Sequence, residues 1–360
     1  MVSALVLGGC GFIGRHLVLY LVENKLVEKI KIADKNLREI SWLTPEQKKV
    51  IDTVDYVQAD LSTEAGRTKA FGDENWDYVF NCAGESRLGL NEEVYMERVL
   101  ELSLKCGELA ALKGCKGFVE ISDARVYKPK KSPAVEDSKI EPWTIISKMK
   151  YEAEKSLSSV KNLNLVIIRP VLVYGVSDLL SITPRIVIGA VYKTLKEKMK
   201  LLWTENLSLN TVHVKDVVAA IWHVKDKTGE VFNLADSSYT TQETISRIVS
   251  EIFNVEHGYH GSVISNTAAA VGGKTLAKTI NSKHMAPWSE LCRAENIEST
   301  PLSPFIDEVL LKNNNLLVDG RKITSTGFTY KYPEITKDLC LEILEGYIQL
   351  GVFPKSVLED

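Results

Sequence analysis

Short apolar runs alternate with amphipathic stretches through the first half of the chain. The runs predict strands near residues 2–7, 29–34, 54–59, 77–82, 117–122 and 164–169, and the stretches between them carry helical spacing at 12–24, about 63–71, 91–113 and 143–160. Strands that alternate with helices in this way form a parallel sheet, because each parallel connection needs a crossover. Leu165-Val166-Ile167-Ile168 is apolar at every position, the pattern of a central strand buried on both faces. After Pro170 the alternation loosens, with strands near 211–214 and 231–234 and helices near 184–198, 215–224, 241–253 and 334–350. Lys193 to Lys200 reads as a solvated helix face. Residues 257–325 carry Gly, Asn, Ser and Pro punctuation, which predicts an irregular, partly helical cap.

The first strand stops at Gly8-Gly9-Cys10-Gly11-Phe12-Ile13-Gly14, and an amphipathic helix follows at once. Gly8, Gly11 and Gly14 let the turn tighten, let backbone approach a pyrophosphate and let the helix pack on the strand. The new helix end, with Phe12 and Ile13 in its first turn, offers unpaired N–H groups to the anion. The second predicted strand ends in Asp34, about twenty residues after the last glycine, where a carboxylate meets the ribose hydroxyls. A carboxylate there repels a 2′-phosphate, which points to NAD; the neighbouring Lys35 and Arg38 pull slightly the other way. The expected fold is therefore α/β, a Rossmann-type doubly wound parallel sheet with a smaller, partly helical C-terminal substrate-binding cap. Its NAD-binding domain is expected over residues 1–175 with returns near 211–235, and the substrate region mainly over 176–360.

With 45% hydrophobic and 25% charged residues among 360, the chain can bury a large core. Its net charge of −3 and dispersed Lys and Arg give no electrostatic footprint for nucleic acid or for a polybasic membrane contact. The six cysteines form no CxxC pair, which argues against zinc and against a disulfide framework. No metal site is expected. No apolar run approaches membrane-spanning length and the first strand leaves no room for a leader, so a cytoplasmic protein without stable membrane insertion is the expectation. Cys10 lies at a helix start, which is a setting that lowers a thiol pKa.

Taken in order, these segments resemble the extended short-chain dehydrogenase/reductase family, also called NAD-dependent epimerase/dehydratases, which includes nucleotide-sugar enzymes and 3β-hydroxysteroid dehydrogenases. The resemblance covers about residues 2–255, with a similar tail near 322–354. Beyond the glycine loop and Asp34 it rests on Asp60-Leu61, Asn81-Cys82-Ala83-Gly84, Ser122 to Tyr127, Ser147-Lys148, Arg169 to Gly175 and Val212 to Val217. It implies an adenine contact at Asp60 and Leu61, and a nicotinamide-side approach over Cys82, Ala83, Gly84 and Pro170. It also implies that Lys148 binds the nicotinamide ribose, and that two copies pair through the helices at 91–113 and 143–160.

At the chemical step the resemblance breaks. The family places a Tyr four residues before the Lys, so that the ammonium lowers the phenol pKa and both groups face the nicotinamide. Here that position is Thr144, whose hydroxyl has no pKa near neutrality. The family's Ser or Thr near the reacting oxygen is replaced by Asp123, which reads either as a general base raised by burial or as an inert partner of Lys148; a register slip of one puts Ser122 there. Tyr151, Arg87 and Trp143 are further candidates for acid/base, substrate-anion and apolar-pocket roles, each with a structural reading beside it. Leu172 and the neighbourhood of Asn210 lack two polar anchors common in nucleotide-sugar members, which tilts the substrate toward a less polar alcohol or ketone. The leading expectation is an NAD-dependent oxidoreductase acting on a small-molecule hydroxyl or carbonyl through Lys148, Asp123 and Thr144. A catalytically impaired NAD-binding regulatory protein and a nucleotide-sugar epimerase or dehydratase are the alternatives.

Overall fold

A computed structural model describes residues 2–359. The chain gathers into two compact units. One takes the chain up to Val171 with Val212–Ala235 and Val318–Lys331; the other takes Leu172–Thr211, Asp236–Leu317 and the chain from Tyr332 on.

The first unit is built on β1 (Ser3–Leu7), β2 (Lys29–Asp34), β3 (Asp55–Gln58), β4 (Tyr78–Asn81), β5 (Gly117–Ile121), β6 (Leu165–Pro170) and β10 (Val231–Leu234). Three-residue strands lie outside this sheet: β7 (Leu172–Tyr174), β8 (Met199–Leu201), β9 (Thr211–His213) and β11 (His257–Tyr259). The sheet order is β10-β6-β5-β4-β1-β2-β3, and every neighbouring pair is parallel. Leu5 sits opposite Lys31 of β2 and Val79 of β4, so the strand order reverses at β1 and a crevice opens at its carboxyl end. The strands of a parallel sheet carry helices on their faces, and Leu5, Leu7, Val79, Phe118, Leu165 and Ile167 all turn to one side. There they meet Phe71 of α3 (Glu64–Phe71), Leu102 and Cys106 of α5 (Leu102–Leu112) and Leu157 of α6 (Ile145–Ser158). Helices α1 (Phe12–Glu23), α2 (Pro45–Ile51) and α8 (Val214–Val224) complete the layers, with α1 packed against both α2 and α8. Ahead of α5, α4 (Glu92–Tyr95) passes through π-helical Met96–Glu101. That distortion frees the Arg98 carbonyl, which accepts the Glu85 N–H at 3.3 Å.

The second unit has its own core. Ile186, Val187 and Val191 of α7 (Thr183–Leu195) pack with Ile245, Val249 and Phe253 of α9 (Gln242–Phe253) and with Ile343 and Tyr347 of α12 (Lys337–Gln349). Gly189 permits the approach of α7 to α9, since a Cβ there would stand 2.4 Å from Val249 Cγ1. Two expectations need correction. The cap is more regular than its punctuation predicts: α10 (Gly261–Ala270) is followed by α11 (Gly273–Ala294), a helix of 22 residues with Pro287 inside. Its buried stripe is Ala277, Asn281, His284, Trp288 and Cys292, and the two polar members hide the helical period. Nor is Lys193–Lys200 one helix face. The helix ends at Leu195, Lys196 turns left-handed at φ 53°, and Met199–Leu201 pairs in parallel with β11. No helix among the described residues is long and apolar enough to cross a membrane.

Candidate cofactor site and active centre

The glycine loop is a backbone-on-backbone contact. Gly8 has φ +73°, and a Cβ on it would lie 2.7 Å from the Ala83 backbone at the exit of β4. A Cβ on Gly14 would fall 2.2 Å from the Gly8 carbonyl oxygen, to which the Gly11 N–H donates at 3.0 Å. Side chains larger than hydrogen therefore displace the loop. Arg15 fastens it from beneath, donating to the carbonyls of Cys10, Gly11, Ser41 and Trp42. Helix α1 begins at Gly11 with no capping side chain and no acid in its first turn. The N–H groups of Phe12, Ile13 and Gly14 thus lack intrahelical acceptors, and no acid of the first turn competes for them. This cradle fits the pyrophosphate of a dinucleotide.

Asp34 is buried at the end of β2. Its Oδ2 accepts the Cys10 N–H and its Oδ1 the Asn36 N–H, both at 2.9 Å, which leaves an acceptor position on each oxygen for a ribose diol. Burial raises its pKa, against the pull of those two N–H groups. The Lys35 carbonyl accepts from Gln58 Nε2 at 3.1 Å, and the Lys35 side chain is exposed. Asp60 caps the turn after β3 through the Ser62 N–H at 3.0 Å, while Leu61 sits in the sheet's core. The helix start does not lower the Cys10 thiol: burial, then the nearby Asp34 charge, push it up to about 12. All six cysteines are free thiols.

Beyond the carboxyl ends of β4 and β5 the structure assembles a group that the motifs do not contain. Glu120, the next-to-last residue of β5, is fully buried. Asn81 Nδ2 donates to it at 2.6 Å, Ser103 Oγ at 2.9 Å, and the Lys150 ammonium at 3.2 Å. Lys150 also donates to the Ile121 carbonyl at 2.6 Å, and its Nζ lies 3.7 Å from where a Gly84 Cβ would be. Cys82, beside this ammonium, is nonetheless pushed up to about 12 by burial.

Lys148 does not reach this place. It is exposed on α6 and pairs with Glu92 at 2.7 Å. The buried residues of α6 are Ile146, Ser147, Met149, Ala153, Glu154 and Leu157; the Lys150 side chain lies largely covered beside them, whereas Lys148 is exposed. Thr144 opens α6: its hydroxyl accepts the Ser147 N–H at 2.9 Å in a capping box. Asp123 pairs with Arg125 at 2.7 Å and not with Lys148, and it caps the turn at Ala124–Val126. Ser122 donates to Glu154, which in turn pairs with Arg169. Arg169 and Asn233 occupy the Tyr127 hydroxyl, each at 2.7 Å.

The remaining candidates take structural places. Burial alone would raise the Glu85 carboxyl, but the Arg87 side chain and backbone N–H hold it at about 2, with the two side chains 2.8 Å apart. Lys155 lies over the Tyr151 ring. His213 caps α8 through the Lys215 N–H, and Asp216 accepts the Lys331 N–H at 2.9 Å. Pro170 ends β6, with the following Val171 N–H donating to Leu234. Sequence reading missed Glu120 and Lys150. The signal was there: one acid inside the apolar strand Gly117-Phe118-Val119-Glu120-Ile121, and a second lysine between Met149 and the buried Ala153 and Glu154.

UDP-glucose 4-epimerase 3 of Oryza sativa subsp. japonica is 29% identical to this chain over 147 residues, 38% of this chain and 39% of that protein. The chain spans about two fifths of the length of the curated relatives it matches. Across nearly its full length it shares its fold with two solved epimerases. The Thermus thermophilus UDP-glucose 4-epimerase in complex with NAD superposes with TM-score 0.68 at 18% identity, covering 96% of this chain and 98% of that one. The Thermotoga maritima UDP-glucose 4-epimerase with UDP-glucose gives 0.69 at 19%, with the same coverage. The sequence model of the NAD dependent epimerase/dehydratase family matches residues 4–235, from β1 through β10. The chain therefore belongs to that family, and NAD is its cofactor.

Proposed function

We propose that this chain is an enzyme that binds NAD over the glycine loop and Asp34 and acts on a hydroxyl or carbonyl carbon of a nucleotide sugar. When bound, NAD supplies the acceptor for a hydride. The protein's part is to hold and orient. The α1 amino end takes the pyrophosphate, Asp34 the adenosine ribose, and Asp60 and Leu61 flank the adenine. Cys82, Ala83, Gly84 and Pro170 border the nicotinamide half. Lys150 takes the place first assigned to Lys148 and donates to the nicotinamide ribose, with Glu120 and the Ile121 carbonyl fixing its ammonium. The observation that supports this most is that largely covered lysine, held at 3.2 Å from a buried carboxylate at the sheet's carboxyl edge. The nucleotide-sugar class rests on the relatives named above, and it replaces the tilt toward a less polar substrate.

With Lys150 in the lysine's place, the position four residues before it is Ile146, which carries no hydroxyl, and the hydroxyl of Thr144 is engaged as a helix cap. That favours the second reading, an NAD-binding protein without turnover. Incubating the NAD-loaded protein with UDP-, dTDP- and GDP-sugars separates the two. Reduced nicotinamide or an altered sugar, followed by absorbance and chromatography, supports the enzyme. An NAD-loaded protein inert to every sugar supports the binding protein. We place the chain in the cytoplasm, where free thiols persist, as a homodimer formed through α5 and α6; light scattering that gives a monomer contradicts the dimer.

A further inference from the structure

Helix α10 is seated the wrong way round for a surface helix in water. Its buried side chain is Ser265, while Val263 is 82% exposed, Ile264 56% and Val271, just past its end, 62%. Polar contacts fix the inward side. Ser265 Oγ accepts the Trp203 N–H at 2.7 Å, and the Gly261 N–H donates to the Trp203 carbonyl at 2.9 Å. Trp203 Nε1 in turn donates at 2.8 Å to the Leu311 carbonyl of the 3-10 turn Glu308–Leu311, whose Leu310 is also exposed. The apolar arc of the helix is thus held outward by its serine, and an exposed apolar face of this kind marks a contact surface. Charge is unevenly placed around it. Although the whole chain carries −3, no Asp or Glu occurs from His257 to Ser289, where Lys274, Lys278 and Lys283 stand. Lys283 pairs with Glu197 at 2.6 Å, whereas Lys274 and Lys278, in the first two turns of α11, are exposed and have no ion pair among the described residues. Glu308 is the acid beside the turn, its Oε2 3.0 Å from where a Gly273 Cβ would be.

We propose that α10 and the first turns of α11 dock on an anionic lipid surface, without spanning it. Val263, Ile264 and Val271 enter the boundary between headgroups and acyl chains, and Lys274 and Lys278 meet the lipid phosphates. This stands apart from the nucleotide-sugar reading and adds a place of work to it. A second copy of the chain suits the face poorly. Ten residues of helix are about 15 Å long, too little for the ~800 Å² that each partner of a stable pair buries. Pairing of two such faces would also bring their unpaired lysines together. A fluid bilayer needs no matching groove, and its negative charge complements those lysines.

Sedimentation of the full chain with vesicles tests this, using phosphatidylcholine alone and phosphatidylcholine mixed in equal parts with phosphatidylserine. The wild type is expected to sediment with the anionic vesicles at least about fivefold more than with the neutral ones, and to be released as salt is raised. Val263→Ser combined with Ile264→Ser is expected to lower that binding by about fivefold or more. Lys274→Gln combined with Lys278→Gln is expected to remove the preference for anionic vesicles, with circular dichroism unchanged in both variants. Wild type that sediments with neither vesicle, or the serine variant sedimenting as the wild type does, overturns the proposal. Light scattering that finds a wild-type dimer which the serine variant dissociates, without vesicle binding, overturns it in favour of a second copy. Should the serine variant fail to unfold cooperatively, the lysine variant decides: undiminished sedimentation with anionic vesicles in it overturns the docking surface.

Discussion

Single residues in this chain owe their roles to direction as much as to identity. The sequence Ser147-Lys148-Met149-Lys150 offers two lysines, and a motif that fixes one of them is silent on which way a helix turns it. The turn of α6 leaves the Lys148 side chain exposed and covers most of that of Lys150. Glu120 escaped notice for the opposite reason, since it lies in a strand whose other members are apolar and no motif names it. Its pKa is raised by burial, against Lys150, Asn81 and Ser103. A carboxyl raised in the folded state contributes stability that is complete below its ordinary value of 4.5 and is lost as pH rises through the folded value. Urea midpoints of the wild type are therefore expected to fall relative to Glu120→Gln as pH increases; parallel curves would refute this. At Gly14 an added Cβ would fall 2.2 Å from the Gly8 carbonyl oxygen, which is backbone and cannot give way. Gly14→Ala is expected to abolish NADH binding in the fluorescence titration and to lower the urea midpoint.

Helix ends and strand patterns settle the next scale. The parallel strands were legible because burial on both faces leaves continuous apolar runs, and β6 shows it at its clearest. Helix α11 was not, because Asn281 and His284 stand in its buried stripe and Pro287 in its interior. Thr144 was legible as a residue but not as a cap, since its position in the family motif suggested chemistry. Thr144→Ala is expected to cost about 1 kcal/mol through loss of the α6 cap, while Thr144→Ser keeps it, by urea denaturation. His213, the cap of α8, is buried and its pKa is lowered to about 3, with the Lys215 charge adding to the effect of burial. Between its ordinary 6.5 and about 3 the unfolded chain takes up a proton that the folded chain refuses, so stability drops as pH falls through that window. His213→Asn, which keeps a capping side chain, is expected to show a shallower acid slope; an equal slope would place the titration elsewhere.

At the scale of the whole molecule, strand order is what gives the motifs their meaning. The reversal at β1 puts the glycine loop, Asp34 and the β4–β5 exits at one sheet edge, and the separate core around α7, α9 and α12 makes a second unit from three stretches of sequence. Order along the chain does not reveal such returns unless the strands are recognised first. NADH that binds only the folded chain raises stability by mass action, by about 2.7 kcal/mol when present at about a hundred times its Kd. Thermal unfolding with and without the nucleotide checks this, and an unchanged transition would count against binding. Which lysine serves the cofactor decides whether the site has been placed correctly, and fluorescence titration of NADH into the wild type, Lys150→Met and Lys148→Met answers that. Binding to the wild type, weakened about tenfold or more in Lys150→Met and within about twofold in Lys148→Met, is the expected result; the reverse order of the two variants, or no binding to the wild type, would contradict it.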